Sequence, residues 1–159
     1  MTEKIVTKIK SILENNNAKL AVSESLTCGC IQKIIGQISG VSSFFVGGIT
    51  TYSLSTKSQL LQIDIKHAQS VNCVSELVAR QMAVGTCKLF AVNVSIATTG
   101  YAEPTIDEKV PFAYIAVKIN DTIFSKKVIA LNMERIEAQE YISTIALTYL
   151  LECLGTCMK

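Results

Sequence analysis

Ser25, Tyr52 and Lys57 are the residues of this chain whose types and spacing can do chemistry. An apolar run, Leu20-Ala21-Val22, passes into Ser23-Glu24-Ser25-Leu26-Thr27-Cys28-Gly29, and a helical pattern of Ile31, Ile34, Ile35 and Ile38 begins at once behind it. Strand, tight polar turn and helix is the geometry that presents a small nucleophile at a strand end with helix N–H groups aimed at it. A serine hydroxyl at its own pKa is almost never ionised at neutral pH, so it needs a base. The chain holds one histidine, His67, in a polar stretch expected at the surface, which leaves a lysine as the available base. A second apolar strand, Gly48 to Thr51, delivers Tyr52, and Lys57 follows five residues later.

Each residue also has a plainer role open to it. Ser25 can be part of a helix cap, Tyr52 a strand-end aromatic and Lys57 a solvated helix lysine. Glu24 can pair with Lys57, which would raise the lysine pKa and oppose its use as a base. Cys28 and Cys30 can form a reactive thiol pair at a helix start, where thiolates are favoured.

The elements that must position these groups follow from hydrophobic period. Thr2 to Leu13 patterns as an amphipathic helix, with Ile5, Ile9, Ile12 and Leu13 on one face, Thr2 as N-cap and Asn15-Asn16-Asn17 as its end. Strands are predicted at about Lys19 to Val22, Gly47 to Thr51 and Ala91 to Thr98. Ser53 is positioned to cap a short helix carrying Lys57, Leu60 and Leu61. Ser75 is positioned to cap a longer one through Leu89, with Leu77, Val78, Met82 and Leu89 inward. Thr99-Gly100-Tyr101-Ala102-Glu103-Pro104 has the composition of a turn, and an exposed loop follows to Glu108. Phe112 to Ile119 and Thr122 to Ala130 flank Asn120-Asp121 as an antiparallel hairpin. Asn132 is the predicted cap of a last helix, with Gly155 at its end. Helices interleaved with strands buried on both faces, plus one hairpin, make a mixed sheet between helical layers. In such sheets sites gather beyond the carboxyl ends of the strands, where the Ser25, Tyr52 and Gly100 segments converge.

Composition narrows the function classes. The 159 residues are read as one domain, 49% hydrophobic and 18% charged, which fits a folded globule. A net charge of +2, scattered along the chain, gives no basic surface for nucleic acid or an anionic membrane. No apolar run reaches the roughly 18 residues of a membrane span. Six cysteines without paired CxxC spacing, and no leader pattern at Met1-Thr2-Glu3-Lys4, suggest buried thiols in a reducing cytoplasm and no metal site.

Four segments carry a family resemblance. ESLTCG, GGITTYSLSTKSQLL, NCVSELVARQMAVG and TTGYAEP resemble the patterns ESCTGG, RGFVTYSNxxKxxLL, GAVSExVxxxMAxG and TGIAGPxGG of the CinA C-terminal domain family, in order, over about residues 18 to 155. The resemblance implies a three-layer α/β/α sandwich and the activity of nicotinamide-nucleotide amidase, which converts nicotinamide mononucleotide to nicotinic acid mononucleotide and ammonia. It places the family's serine, tyrosine and lysine on Ser25, Tyr52 and Lys57. It implies substrate contacts at Thr27, Cys28, Gly29, Thr99, Gly100 and Arg135, no cofactor, and a homo-oligomer. Transferred here, Ser25 attacks the carboxamide, N–H groups near Thr27 and Cys28 hold the oxyanion, Lys57 is the base and Tyr52 relays or orients the proton. Lowering a lysine from ~10.4 to near 7 costs about 4.6 kcal/mol, to be met by desolvation or a nearby cation. The chain departs from the family pattern at Cys28, at Gly47 and Gln139 (arginines in the family), at Leu54 (an asparagine) and at Glu103. Those changes reshape the pocket and weaken phosphate affinity. The alternative expectation is a catalytically silent nucleotide-binding or regulatory domain.

Overall fold

Periodic apolar residues build two helical layers that sandwich a sheet whose first strand in the chain is buried at all five positions. The computed structural model describes residues 2–158. In chain order these are α1 (Thr2–Asn15), β1 (Leu20–Glu24), α2 (Cys30–Gly36), a 3-10 turn (Val41–Ser43), β2 (Phe45–Thr50), α3 (Leu54–Leu61), α4 (Ile65–Ser70), α5 (Glu76–Phe90), β3 (Val94–Tyr101), β4 (Phe112–Ile119), β5 (Thr122–Ile129) and α6 (Arg135–Cys157).

The strands lie in the order β2-β1-β3-β4-β5. β1 runs parallel to both its neighbours, while β3–β4 and β4–β5 are antiparallel. The fold is a three-layer α/β/α sandwich around this mixed sheet. On one face Val6, Ile9 and Leu13 of α1, Ile31 and Ile35 of α2, and Ile142, Leu147 and Leu150 of α6 pack against Val22, Ile96, Ile115 and Val117. On the other, Val78, Ala79, Met82 and Ala83 of α5 and Leu61 of α3 meet Ala97 and Ala116. The alanines let α5 lie close, and Ser95 donates to the Ala83 carbonyl at 2.7 Å. Among the described residues no helix is long and apolar enough to cross a membrane.

The chain leaves β1 to one side for β2 and returns on the other side for β3, with α2 and α5 on opposite faces. That switch opens a crevice beyond the carboxyl end of β1, where Ser25 sits.

Several sequence expectations need correction. Thr2 is already helical and so does not cap α1. Residues 25–29 form a turn of their own before α2 begins at Cys30, and Ile38 lies beyond its end. Ala91 is the left-handed cap of α5 (φ 51°), so β3 starts at Val94. The TTGY segment is strand, because Thr99, Gly100 and Tyr101 continue the ladder opposite Tyr114, Ala113 and Phe112. Gly100 permits this approach: a Cβ there would lie 2.1 Å from the Phe112 carbonyl oxygen. Leu77 and Leu89 are exposed, whereas Val78 and Met82 are buried as expected. Asn132 does not cap α6. Glu134 takes that position and its N–H donates to Glu137, the third residue inside. Gly155 lies within α6, which continues to Cys157. Of the six cysteines, all unpaired, only Cys87 and Cys153 are buried.

Candidate active site

Two strand ends and one capped helix bring Ser25 and Lys57 together. The Ser25 N–H donates to the Thr98 carbonyl at 3.1 Å and the Thr51 N–H to the Glu24 carbonyl at 2.9 Å, so the sheet fixes the backbone one residue past each strand. The Ser53 hydroxyl accepts the Thr56 N–H at 3.2 Å and sets the phase of α3, turning Lys57 and Leu61 inward at i, i+4 spacing.

The Lys57 ammonium group then lies 2.9 Å from Ser25 Oγ, 2.7 Å from the Thr51 carbonyl oxygen and 2.9 Å from the Tyr52 carbonyl oxygen. Lys57 is 1% exposed and Ser25 7%. Among the described residues no carboxylate pairs with Lys57. Burial therefore pushes its pKa down from the ordinary lysine value, opposed in part by the nearby Cys73 thiol.

Glu24 does not pair with Lys57. Its buried carboxylate accepts the N–H groups of Gly29 (2.9 Å), Ile31 (3.2 Å) and Gln32 (3.0 Å) and the Gln32 side-chain amide (3.1 Å). Donors at the start of a helix are a better match for a buried anion than one flexible ammonium, because they are already oriented. This arrangement also engages part of the expected oxyanion donor set: Glu24 fills the α2 N-terminus, and the Cys28 N–H turns back to the Ser25 carbonyl at 3.1 Å. Leu26 lines the cleft, and among the described residues its N–H meets no acceptor.

The cleft measures about 200 Å³ and is lined by Ser25, Lys57, Tyr52, Cys73, Thr99 and Gly100, among others. Tyr52 is 56% exposed. It gives Lys57 its carbonyl oxygen, while its phenol accepts from Arg135 at 3.0 Å. Arg135 also donates to Glu103 at 2.6 Å, so Tyr52, Arg135 and Glu103 form the mouth above the buried pair. Thr27, Cys28 and Gly29 lie outside the lining: Thr27 is buried against Thr98 Oγ1 at 2.8 Å, Cys28 faces solvent, and Gly29 is bound to Glu24. Thr99 and Gly100 do line it, and Thr99 Oγ1 donates to the Cys73 carbonyl at 2.6 Å.

Asn72, Cys73 and Val74 are lining residues that no expectation had assigned. Their signal was the NCVSE stretch, which sits in one of the four family-like segments. His67 is half-buried rather than superficial, and its ring lies 2.9 Å from the Ser75 hydroxyl that caps α5.

Residues 2–154 match the family described as CinA, CinA C-terminal domain. A protein of Alkaliphilus oremlandii, named as a competence-damage inducible protein, is 32% identical over 155 residues, 96% of this chain and 36% of its own length. A CinA-like protein of Picosynechococcus is 38% identical over 100 residues, 63% of this chain and 24% of its own. The chain thus spans about a quarter to a third of the curated relatives it matches. Among solved structures, the competence or damage-inducible protein of Enterobacter asburiae superposes with a TM-score of 0.91 at 21% identity, over 97% of this chain and 98% of that one. The CinA superfamily protein of Escherichia coli gives 0.89 at 23%, over 96% and 90%. At these identities the superpositions establish the shared fold.

Proposed function

We propose, from the premise that this chain belongs to the CinA C-terminal domain family, that it is a serine–lysine amidohydrolase of the nicotinamide-nucleotide amidase type. The observation that carries the proposal is the buried Lys57 amine 2.9 Å from Ser25 Oγ, between two carbonyl oxygens and without a counter-charge. Carbonyl oxygens only accept. In the neutral amine both N–H bonds go to Thr51 and Tyr52, and the lone pair is left facing the Ser25 hydroxyl. When the amine is neutral its lone pair thus faces the one direction where a base is needed, and burial moves the lysine toward that form.

Ser25 Oγ attacks the carboxamide carbon as its proton passes to Lys57. The Leu26 N–H, next to the nucleophile, is placed to receive the developing oxyanion. Lys57 then returns the proton to the leaving nitrogen, ammonia departs, and water drawn through the same lysine hydrolyses the acyl-enzyme. A cleft of about 200 Å³ is below the roughly 300–1,000 Å³ that holds a whole ligand, so it takes the carboxamide end while the remainder lies at the mouth.

The test is ammonia release from nicotinamide mononucleotide at saturating concentration. Ser25→Ala and Lys57→Ala are each expected to lower turnover by about 10³-fold or more, as for other nucleophile–base pairs that act as a unit. Release that survives Ser25→Ala overturns the mechanism. Ligand binding by the wild-type protein without release identifies a silent binding domain instead.

A further inference from the structure

Near the carboxyl end of the sheet, three sets of donors are each already engaged by a carboxylate of the chain itself. The α2 N-terminus gives three N–H groups to Glu24. At the α6 N-terminus the Glu134 N–H goes to Glu137 at 3.0 Å. The Arg135 guanidinium, at the mouth of the cleft, is paired with Glu103 at 2.6 Å and hydrogen-bonded to the Tyr52 phenol at 3.0 Å. The neighbouring helix starts, α3 and α5, spend an N–H each on the Ser53 and Ser75 hydroxyls.

Beside the mouth lies a second cavity of about 260 Å³, lined by Arg135 and Lys109 and by Glu103 and Glu134, two cations against two carboxylates. The Lys109 ammonium is already turned to the Ile106 carbonyl at 2.8 Å. Gln139, which holds the Ser25 turn through the Leu26 carbonyl at 2.7 Å, brings a neutral amide to the same edge. A phosphate dianion entering here must displace Glu103 from Arg135 and then remain beside it, unfavourably.

From this balance of charge we infer that the cleft favours a carboxamide without a phosphate over its phosphorylated form, and that Glu103, by occupying Arg135, sets that preference. The carboxamide rests on the amidohydrolase reading, and the preference against phosphate on Glu103 at Arg135. The Arg135 and Glu103 side chains are 42% and 59% exposed, so solvent screens their interaction and the bias is about tenfold rather than thousandfold.

Binding and turnover are measured separately. Nicotinamide riboside and nicotinamide mononucleotide differ by one phosphate, and calorimetry on the Ser25→Ala protein reads their affinities without reaction. The expected result is riboside bound at least as tightly as nucleotide. Adding Glu103→Gln is expected to raise the nucleotide-to-riboside affinity ratio about tenfold at an unchanged melting temperature. Tighter binding of the nucleotide by Ser25→Ala, a ratio unmoved by Glu103→Gln, or binding of neither ligand overturns the inference. Ammonia release by the wild-type protein answers the other question. The expected affinities with no release from either amide support the charge argument and retire the amidase, whereas release with a nucleotide preference does the reverse.

Discussion

The floor and the mouth of the cleft hold ionisable groups under opposite rules. On the floor, Glu24 and Lys57 are 0% and 1% exposed, one an acid and the other a base, yet each is held mainly by backbone groups rather than by the other. At the mouth, Arg135 and Glu103 are half-exposed and pair directly. A buried charge needs several oriented partners, and helix N–H groups and strand-end carbonyls are fixed before the side chain arrives. At the mouth water supplies most of the solvation, so a simple ion pair is enough, and it contributes little stability. Burial on the floor thus lowers the proton affinity of Lys57, whereas the mouth keeps an ordinary, water-exposed ion pair.

The largest effect expected from this contrast is on stability. Glu24→Ala leaves three N–H groups of the α2 start without their acceptor and should cost roughly 2–4 kcal/mol. For a domain of this size that is a fall of roughly 5–15 °C in melting temperature. Arg135→Ala should cost less than about 1 kcal/mol. Equal losses in a thermal melt would erase the distinction between floor and mouth.

The next effect is a pH dependence. Lys57 has a folded pKa below its ordinary 10.5. Between the two values the unfolded chain binds more protons than the folded one, so stability rises with pH across that window. Denaturant titrations of wild type and Lys57→Met should therefore diverge in favour of wild type as pH approaches 10.5. Amide turnover should rise through the lowered lysine value. A pH-independent difference would mean that Lys57 stays charged in the fold.

The smallest effect belongs to the mouth. Tyr52→Phe removes the hydroxyl that accepts from Arg135 but leaves the carbonyl that orients Lys57, so turnover number should change by no more than about threefold while KM moves. If the phenol carries the proton, Tyr52→Phe will instead fall toward Ser25→Ala, and the tyrosine belongs to the floor.

Much of this was legible in the chain. The period of Ile9 and Leu13, the apolar Leu20-Ala21-Val22 run that opens β1, the Asn120-Asp121 hairpin and the Ser53 and Ser75 caps are local patterns that encode their own elements. The convergence of Ser25 and Lys57 followed from placing both just beyond parallel strands. Other features were hidden by distance in sequence. TTGY has turn composition, yet it is strand because β4 offers it a ladder and Gly100 removes the obstructing Cβ. Asn132 is a good cap by type, but the Glu134–Glu137 pair is a better one because it answers an N–H in return.

By itself, then, the sequence determined the order of most helices and strands, that a serine and a lysine lie at one end of a mixed sheet, and which family-like segments surround them. Only the tertiary structure decided the partners: Glu24 with α2 rather than Lys57, the Tyr52 phenol with Arg135 rather than Ser25, and Glu103 across 32 residues with the same guanidinium. Periodicity is a property of neighbours a few residues apart. The choice of a partner for a charge depends on which oriented donors and acceptors the packed sheet brings within about 3 Å, and no local pattern records that.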